Sequence, residues 1–124
     1  MPKPRLLVTR RWPAAVEQKM AEVFDLELNR SDAPLSTADL RDAMGRYDAI
    51  LPTVTDRLPA AVFDGAAPRT RILANYGVGF AHIDTDAAKA RGIAVTNTPD
   101  VLSDCTADIA MTLLLMVARR AGEG

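Results

Sequence analysis

The residues best suited to chemistry lie in one short run, Asn75-Tyr76-Gly77-Val78-Gly79-Phe80-Ala81-His82. Glycines at 77 and 79 let a ligand approach the backbone closely and leave N–H groups pointing outward, a concavity that attracts anions. Taken alone, the same glycines also suit a plain strand-to-helix turn. The spacing from Gly77 to His82 approaches the dinucleotide-binding fingerprint, but His82 stands where the third glycine belongs, so the run is not that fingerprint. Cys105 is the sole cysteine and falls near a helix N-terminus, where a thiol can be activated. No histidine or second cysteine is close to it in sequence, and it reads as a structural residue. No His, Cys and carboxylate grouping has metal-ligand spacing, and no metal is expected.

The glycine run must be held by its neighbours, which alternate short strand-like and helix-like segments. Leu6-Leu7-Val8-Thr9 reads as a buried strand. Pro13 suits the first position of the next helix, where its missing N–H costs nothing. Val16, Met20, Val23 and Phe24 then form an apolar face at helical spacing. Phe24 to Leu28 alternates as a half-buried or edge strand does. Ser36 starts a second helix with Asp39 completing a capping box and Leu35 stapling against Leu40, and Gly45 closes it. Ala49-Ile50-Leu51 is a third strand, ended by Pro52. A short helix spans Pro59 to Phe63, and Ile72-Leu73-Ala74-Asn75 is the strand that delivers the glycine run. Asp84 caps a further helix that stops at Gly92 in a left-handed conformation. Ile93 to Thr96 is the fifth strand. Five strands separated by four helices predict an α/β fold: a flavodoxin-like, doubly wound, parallel five-stranded sheet. Ligands on such sheets sit at the carboxyl ends of the strands.

Composition narrows the partners. The 124 residues suit one domain; 48% are hydrophobic, 25% are charged, and the net charge is −1. That balance gives no reason to expect nucleic acid or an anionic membrane surface. Arg10-Arg11 reads as a solvated strand end rather than a phosphate site. A single cysteine fits a reducing cytosol, no apolar run is long enough for a signal peptide or a membrane span, and a soluble, cytoplasmic protein is expected. The final helix, capped by Ser103 and running to about Arg120, differs from the others. Its centre, Ile109 to Ala118, is apolar nearly all round, whereas a helix on one small sheet buries only a stripe. It therefore calls for a second partner, either another domain or a second copy of the chain.

Three ordered stretches carry a family resemblance. Asn75-Tyr76-Gly77-Val78-Gly79-Phe80-Ala81-His82-Ile83-Asp84 closely resembles the substrate-loop motif of the D-isomer-specific 2-hydroxyacid dehydrogenases. Arg91-Gly92-Ile93-Ala94-Val95-Thr96-Asn97-Thr98-Pro99 resembles the strand and turn that follow it. Thr106-Ala107-Asp108-Ile109-Ala110 is similar to the start of the helix that crosses into that family's cofactor domain. Leu7-Val8-Thr9-Arg10 is also glyoxylate-reductase-like, and the likeness covers essentially the whole chain.

The resemblance implies that residues 1–100 form a substrate-binding (catalytic) domain. Residues 101–124 would then be an interdomain helix leading to an absent Rossmann domain for NAD or NADP. It implies that main-chain N–H groups of Val78 and Gly79 hold the carboxylate of a 2-oxo or 2-hydroxy acid. Tyr76, Leu51, Pro52 and Thr53 would line the substrate pocket, and Val78 and Thr106 would contact the nicotinamide cofactor. A threonine at a helix start also serves as a local hydrogen-bonding residue, and both readings of Thr106 stand. The family's acid histidine, its glutamate and its carbonyl-polarising arginine lie outside this chain. His82 is thus a turn or packing residue, and no catalytic residue is expected here. The implied reaction interconverts small 2-oxo acids, glyoxylate or hydroxypyruvate, and 2-hydroxy acids. The chain by itself is expected to have no turnover and no tight cofactor binding, and nothing in it selects NAD over NADP. Two other readings remain: a stand-alone module for small carboxylates, and an oligomer, most simply a homodimer, joined through the helix around Ile109, Leu113 and Met116. A phospho-accepting receiver domain is excluded, because Thr9-Arg10-Arg11 and Pro52-Thr53 occupy the places where its acidic residues belong.

Overall fold

The computed structural model of the chain describes residues 1–123; the last residue of the expected 101–124 helical segment, Gly124, lies outside them. In chain order the elements are β1 (Arg5–Val8), α1 (Ala14–Val23), β2 (Asp25–Leu28), α2 (Thr37–Met44) and β3 (Ala49–Leu51). They continue with α3 (Ala60–Phe63), β4 (Ile72–Ala74), α4 (Thr85–Ala90), β5 (Ala94–Thr96) and α5 (Ser103–Ala118). The strands form one sheet in the order β2-β1-β3-β4-β5, every pair parallel. This is the flavodoxin-like order expected for the alternating pattern, with a topological switch between β1 and β3.

Alternation along the strands splits the core in two. Leu7, Ile50 and Leu73 face one side, packed with Leu40 and Met44 of α2, Val62 and Phe63 of α3, and Ala88 of α4. Leu6, Val8 and Leu51 face the other, against Trp12, Met20 and Phe24. The strand β2 is an edge, and its residues alternate exposed and half-buried, as its sequence predicts. At the start of α2 the capping box is complete: the Asp39 N–H donates to Ser36 Oγ at 3.1 Å and the Ser36 N–H donates to Asp39 Oδ2 at 3.1 Å. Gly92 has φ +71°, the left-handed conformation expected after α4.

Four local expectations are corrected. Pro13 is the N-cap of α1 rather than its first helical residue. The packed face of α1 is rotated from the one that the apolar spacing suggests, with Val23 60% exposed and Val16 also exposed. The buried position is taken by Glu17, whose carboxylate accepts bonds from the Trp12 N–H and the Arg11 guanidinium at 2.8–3.0 Å. A fully hydrogen-bonded carboxylate tolerates burial, and holding it there turns the two valines outward. In α5, Leu102 is the N-cap without a side-chain cap bond, and Ser103 is the first helical residue. Arg10 and Arg11 are also not simply solvated: Arg10 pairs with Asp32 at 3.0 Å and Arg11 with Glu17 at 3.0 Å.

Every residue of α5 is exposed, so it is not a central helix of this sheet. Among the described residues no helix is long and apolar enough to cross a membrane. The core assignment makes a quantitative contrast. Leu40→Ala, at a position with no exposure, is expected to lower the unfolding free energy by about 2–5 kcal/mol. Val23→Ala on the outer side of α1 should change it by less than about 0.5 kcal/mol. Equilibrium urea unfolding of the two variants measures both, and equal losses would contradict this packing.

Candidate functional site

The carboxyl ends of β1, β3 and β4 meet in one place. Parallel pairing of β3 with β4 is prolonged by a bridge between Thr53 and Tyr76, with the Tyr76 N–H donating to the Pro52 carbonyl at 2.8 Å. The turn that follows Tyr76 therefore lies beside the segment that follows β3. Beneath it, Asp56 is 1% exposed, and its Oδ2 accepts from the Thr53 N–H at 2.8 Å and from the Thr9 hydroxyl. Its Oδ1 has no partner among the described residues.

Glycine is favoured at 77 by space rather than by handedness. No residue between Tyr76 and His82 has a positive φ, but a Cβ at Gly77 would stand 2.8 Å from Val54 Cγ1. At Gly79 a Cβ would meet nothing within 4 Å. That open space is where a ligand can reach the main chain.

The polar groups of the turn sort cleanly by direction. The Gly77 carbonyl accepts from the Thr98 N–H at 3.1 Å and from Asn75 Nδ2 at 3.3 Å. The Val78 carbonyl accepts from Asn97 Nδ2 at 2.9 Å, and the Gly79 carbonyl from Asn75 Nδ2 at 3.0 Å. The N–H groups of Val78 and Gly79 have no hydrogen-bond acceptor among the described residues, and both residues are exposed. Two adjacent unpaired donors on an open turn are what a carboxylate needs.

The exposed surroundings of the turn are largely apolar. Val54, Tyr76, Val78 and Phe80 are exposed around the turn. Trp12 packs on Tyr76 with ring centroids 4.5 Å apart and planes tilted by 38°. A polar chain runs from the Thr53 hydroxyl to the Thr55 hydroxyl at 3.0 Å, and Arg10 Nη1 donates to Thr55 at 2.8 Å. Arg10 is engaged by Asp32, whose carboxyl is held below its ordinary range by that bond first and by the Arg11 N–H second. His82 is pushed below its ordinary range by burial, which the negative charge of Asp56 only partly opposes. Its ring is therefore neutral near pH 7.

The structure thus brings together most of the residues singled out by sequence. Thr53, Tyr76, Val78 and Gly79 share one edge of the sheet. Leu51 lies beneath them, buried with Leu6 and Val8. Thr106 is not joined to them by any hydrogen bond; it is exposed in the first turn of α5, where its N–H donates to the Leu102 carbonyl at 3.0 Å. Cys105 is exposed, with its thiol 3.3 Å from that same carbonyl. Among the described residues no group of His, Cys, Asp and Glu could hold a metal ion. His82, at the place of the third glycine of a dinucleotide fingerprint, has its ring bonded to Asn75 at 2.9 Å. Sequence reasoning assigned no site role to Asn97, Asp56 and Trp12, and placed Asn75 in the glycine run without its bonding role. Asp56 had a local signal, its spacing of three from Thr53, and Asn75 acts within its own loop on Gly77, Gly79 and His82; Asn97 and Trp12 act across long sequence separations.

Comparison with known proteins identifies the family of the chain. Residues 6–117 match the family of the D-isomer specific 2-hydroxyacid dehydrogenase, catalytic domain. A glyoxylate reductase of Korarchaeum cryptofilum is 45% identical over 121 residues, 98% of this chain and 36% of that protein. A glycerate dehydrogenase of Hyphomicrobium methylovorum is 37% identical over 124 residues, 100% of this chain and 38% of that protein. The chain therefore spans little more than a third of the length of these relatives. A crystal structure from Thermus thermophilus superimposes with TM-score 0.81 at 40% identity, over 97% of this chain and 38% of that one. A Polaromonas structure, described as NAD-binding and D-isomer specific 2-hydroxyacid dehydrogenase in type, gives TM-score 0.81 at 36% identity, over 93% of this chain and 36% of that one.

The steric reading of the turn has a direct test. Gly77→Ala is expected to cost about 1–3 kcal/mol of stability, as an overpacked position does, and Val54→Ala in the same chain should recover most of it. Gly79→Ala should leave stability nearly unchanged. Thermal unfolding of the three variants checks the set; a Gly77→Ala loss that Val54→Ala does not relieve would contradict it.

Proposed function

Because the chain belongs to the family of D-isomer specific 2-hydroxyacid dehydrogenases, catalytic domain, we propose that it is the carboxylate-holding part of an oxidoreductase. In this reading residues 1–100 are the substrate-binding domain and residues 101–124 the helix that leads on to a nicotinamide-binding domain. The full-length protein interconverts small 2-oxo acids, with glyoxylate or hydroxypyruvate preferred, and the corresponding 2-hydroxy acids, using NAD or NADP in the cytoplasm. The observation that carries the reading is the pair of unpaired N–H groups at Val78 and Gly79, on an open turn at the carboxyl edge of a parallel sheet.

The role of this chain is to bind and to orient. Two main-chain donors grip a substrate carboxylate, and each hydrogen bond to a charged oxygen is stronger than one to a neutral acceptor. Apolar side chains at Val54, Tyr76 and Phe80 around the turn lower the local dielectric and sharpen that attraction. Thr53 and Tyr76 border the rest of a small substrate, over the floor that Leu51 provides. Val78 and Thr106 are the positions proposed to meet the nicotinamide, which would supply the hydride. No proton-transferring residue is assigned within the chain, since its one histidine is bonded into the turn.

The chain by itself is therefore expected to bind small carboxylates weakly and to lack turnover. Titration of residues 1–124 with oxalate and glyoxylate, followed by amide nuclear magnetic resonance, should shift Val78 and Gly79 first. Absence of any shift at saturating ligand would overturn the reading, and so would NADH-dependent reduction of glyoxylate by this chain alone.

A second reading concerns α5. Ile109, Leu113 and Met116 are 60%, 56% and 44% exposed and recur along one side of the helix. Burying them against a second copy, most simply with two-fold symmetry, removes apolar surface from water at about 25 cal/mol per Å². Light scattering at high concentration is expected to show a dimer, which Ile109→Glu with Leu113→Glu disperses; a monomer in the unmodified chain would contradict it.

A further inference from the structure

We propose that Asn75 is a positioning residue that, together with the Thr98 N–H and Asn97, holds the Val78 and Gly79 N–H groups turned toward the ligand, with His82 acting only through Asn75. The inference rests on the reading that those N–H groups bind a carboxylate.

The argument is an accounting of donors. Asn75 is 3% exposed at the end of β4, and its side-chain amide has two N–H donors and one acceptor oxygen. Its Nδ2 lies 3.3 Å from the Gly77 carbonyl and 3.0 Å from the Gly79 carbonyl. Carbonyl oxygens only accept, so this fixes which end of the amide is nitrogen. The oxygen then faces His82 Nε2 at 2.9 Å, and that nitrogen must carry the proton. The imidazole is thereby set in one tautomer, and in turn locks the amide against rotation.

The geometric consequence follows from planar peptides. Holding the carbonyl of Gly77 inward turns the N–H of Val78 to the opposite side, because both belong to one peptide plane. The Val78 carbonyl, held by Asn97 at 2.9 Å, does the same for the Gly79 N–H. Securing the Gly79 carbonyl keeps the following plane from swinging back. Rigid donors aimed at a fixed point bind an anion without first being ordered. An exposed turn with no such brace would have to give up conformational freedom on every binding event.

Four chains test this: the unmodified protein, His82→Leu, His82→Gln and Asn75→Asp. The readouts are the ring nitrogen shifts of His82, the amide resonances of Val78 and Gly79, and the oxalate dissociation constant. The unmodified protein should show His82 protonated at Nε2 and unprotonated at Nδ1 near neutral pH. His82→Leu, which cannot donate, should move both amide resonances and weaken oxalate by roughly tenfold. His82→Gln places a donor near the same point and should restore the resonances and bring binding back to within about threefold. Asn75→Asp loses both donors and adds a negative charge beside the turn, with an expected loss of roughly a hundredfold.

A proton on Nδ1 alone, or His82→Leu binding oxalate as the unmodified chain does, overturns the brace. So does equal loss in His82→Gln and His82→Leu. If the unmodified chain gives no oxalate response, the carboxylate reading fails. The brace is then still judged by the tautomer, and by whether Leu, but not Gln, at position 82 moves the Val78 and Gly79 resonances.

Discussion

Parallel registration of β3 with β4 is the constraint on which the site depends. Ala49 pairs with Ile72 and Ile50 with Leu73, and the same register carried onward sets Thr53 beside Tyr76. At that point regular pairing stops, because Pro52 offers a carbonyl but no N–H. The ladder ends there, and the two chains part with main-chain groups still to be satisfied. Every polar feature of the candidate site resolves that break. Asp56 collects the Thr53 N–H and the Thr9 hydroxyl; Asn75 and Asn97 collect the carbonyls of the turn. Among the N–H groups that remain without an acceptor are those of Val78 and Gly79, on the exposed turn.

Buried polar groups are costly unless they are bonded, and here they gather at one end of the sheet. Thr9, Asp56 and Asn75 are all nearly unexposed. Thr70 is the buried polar side chain associated with the far end of the molecule, donating to the Tyr47 carbonyl at 2.8 Å. The two apolar clusters on either face of the sheet need none of this machinery. Polar residues buried at the carboxyl edge therefore serve to shape a loop rather than to stabilise the core. The unpaired Oδ1 of Asp56 leaves a negative charge near His82 without a direct bond, and burial outweighs it in setting the state of the ring.

The helix α5 presents the opposite situation. Its sixteen residues are close to the length at which an isolated helix is marginal in water, about 12–15. Leu, Ile, Met and Val nevertheless occupy most of its circumference and are exposed throughout. A helix of this composition draws its stability from surfaces packed against it. Relatives in which the chain spans little more than a third of the length have ample further chain, and a second copy is the other source of cover. In both cases Thr106, in the first turn, is carried with the helix and not with the glycine turn.

The sequence by itself determined the element order, the parallel sheet, the capping of α2 and the left-handed stop at Gly92. These are set by interactions spanning a few residues, such as Ser36 with Asp39, or by periodicity that burial imposes on each strand. It also marked the glycine run, since Gly77 and Gly79 stand out in any reading of the chain. Tertiary structure alone decided which groups of that run are free. Gly77 is favoured because Val54 arrives from β3, and the turn carbonyls are occupied because Asn97 and Thr98 arrive from beyond β5. Glu17 takes the buried place on α1 through bonds from Arg11 and the Trp12 N–H just before the helix, a local pairing that apolar spacing does not register. His82, read from the sequence as a turn or packing residue, meets the Asn75 side chain at 2.9 Å once the loop between them is folded. Hydrogen bonds and steric limits between segments depend on where the sheet brings them, and spacing along one segment does not record its neighbour across the fold.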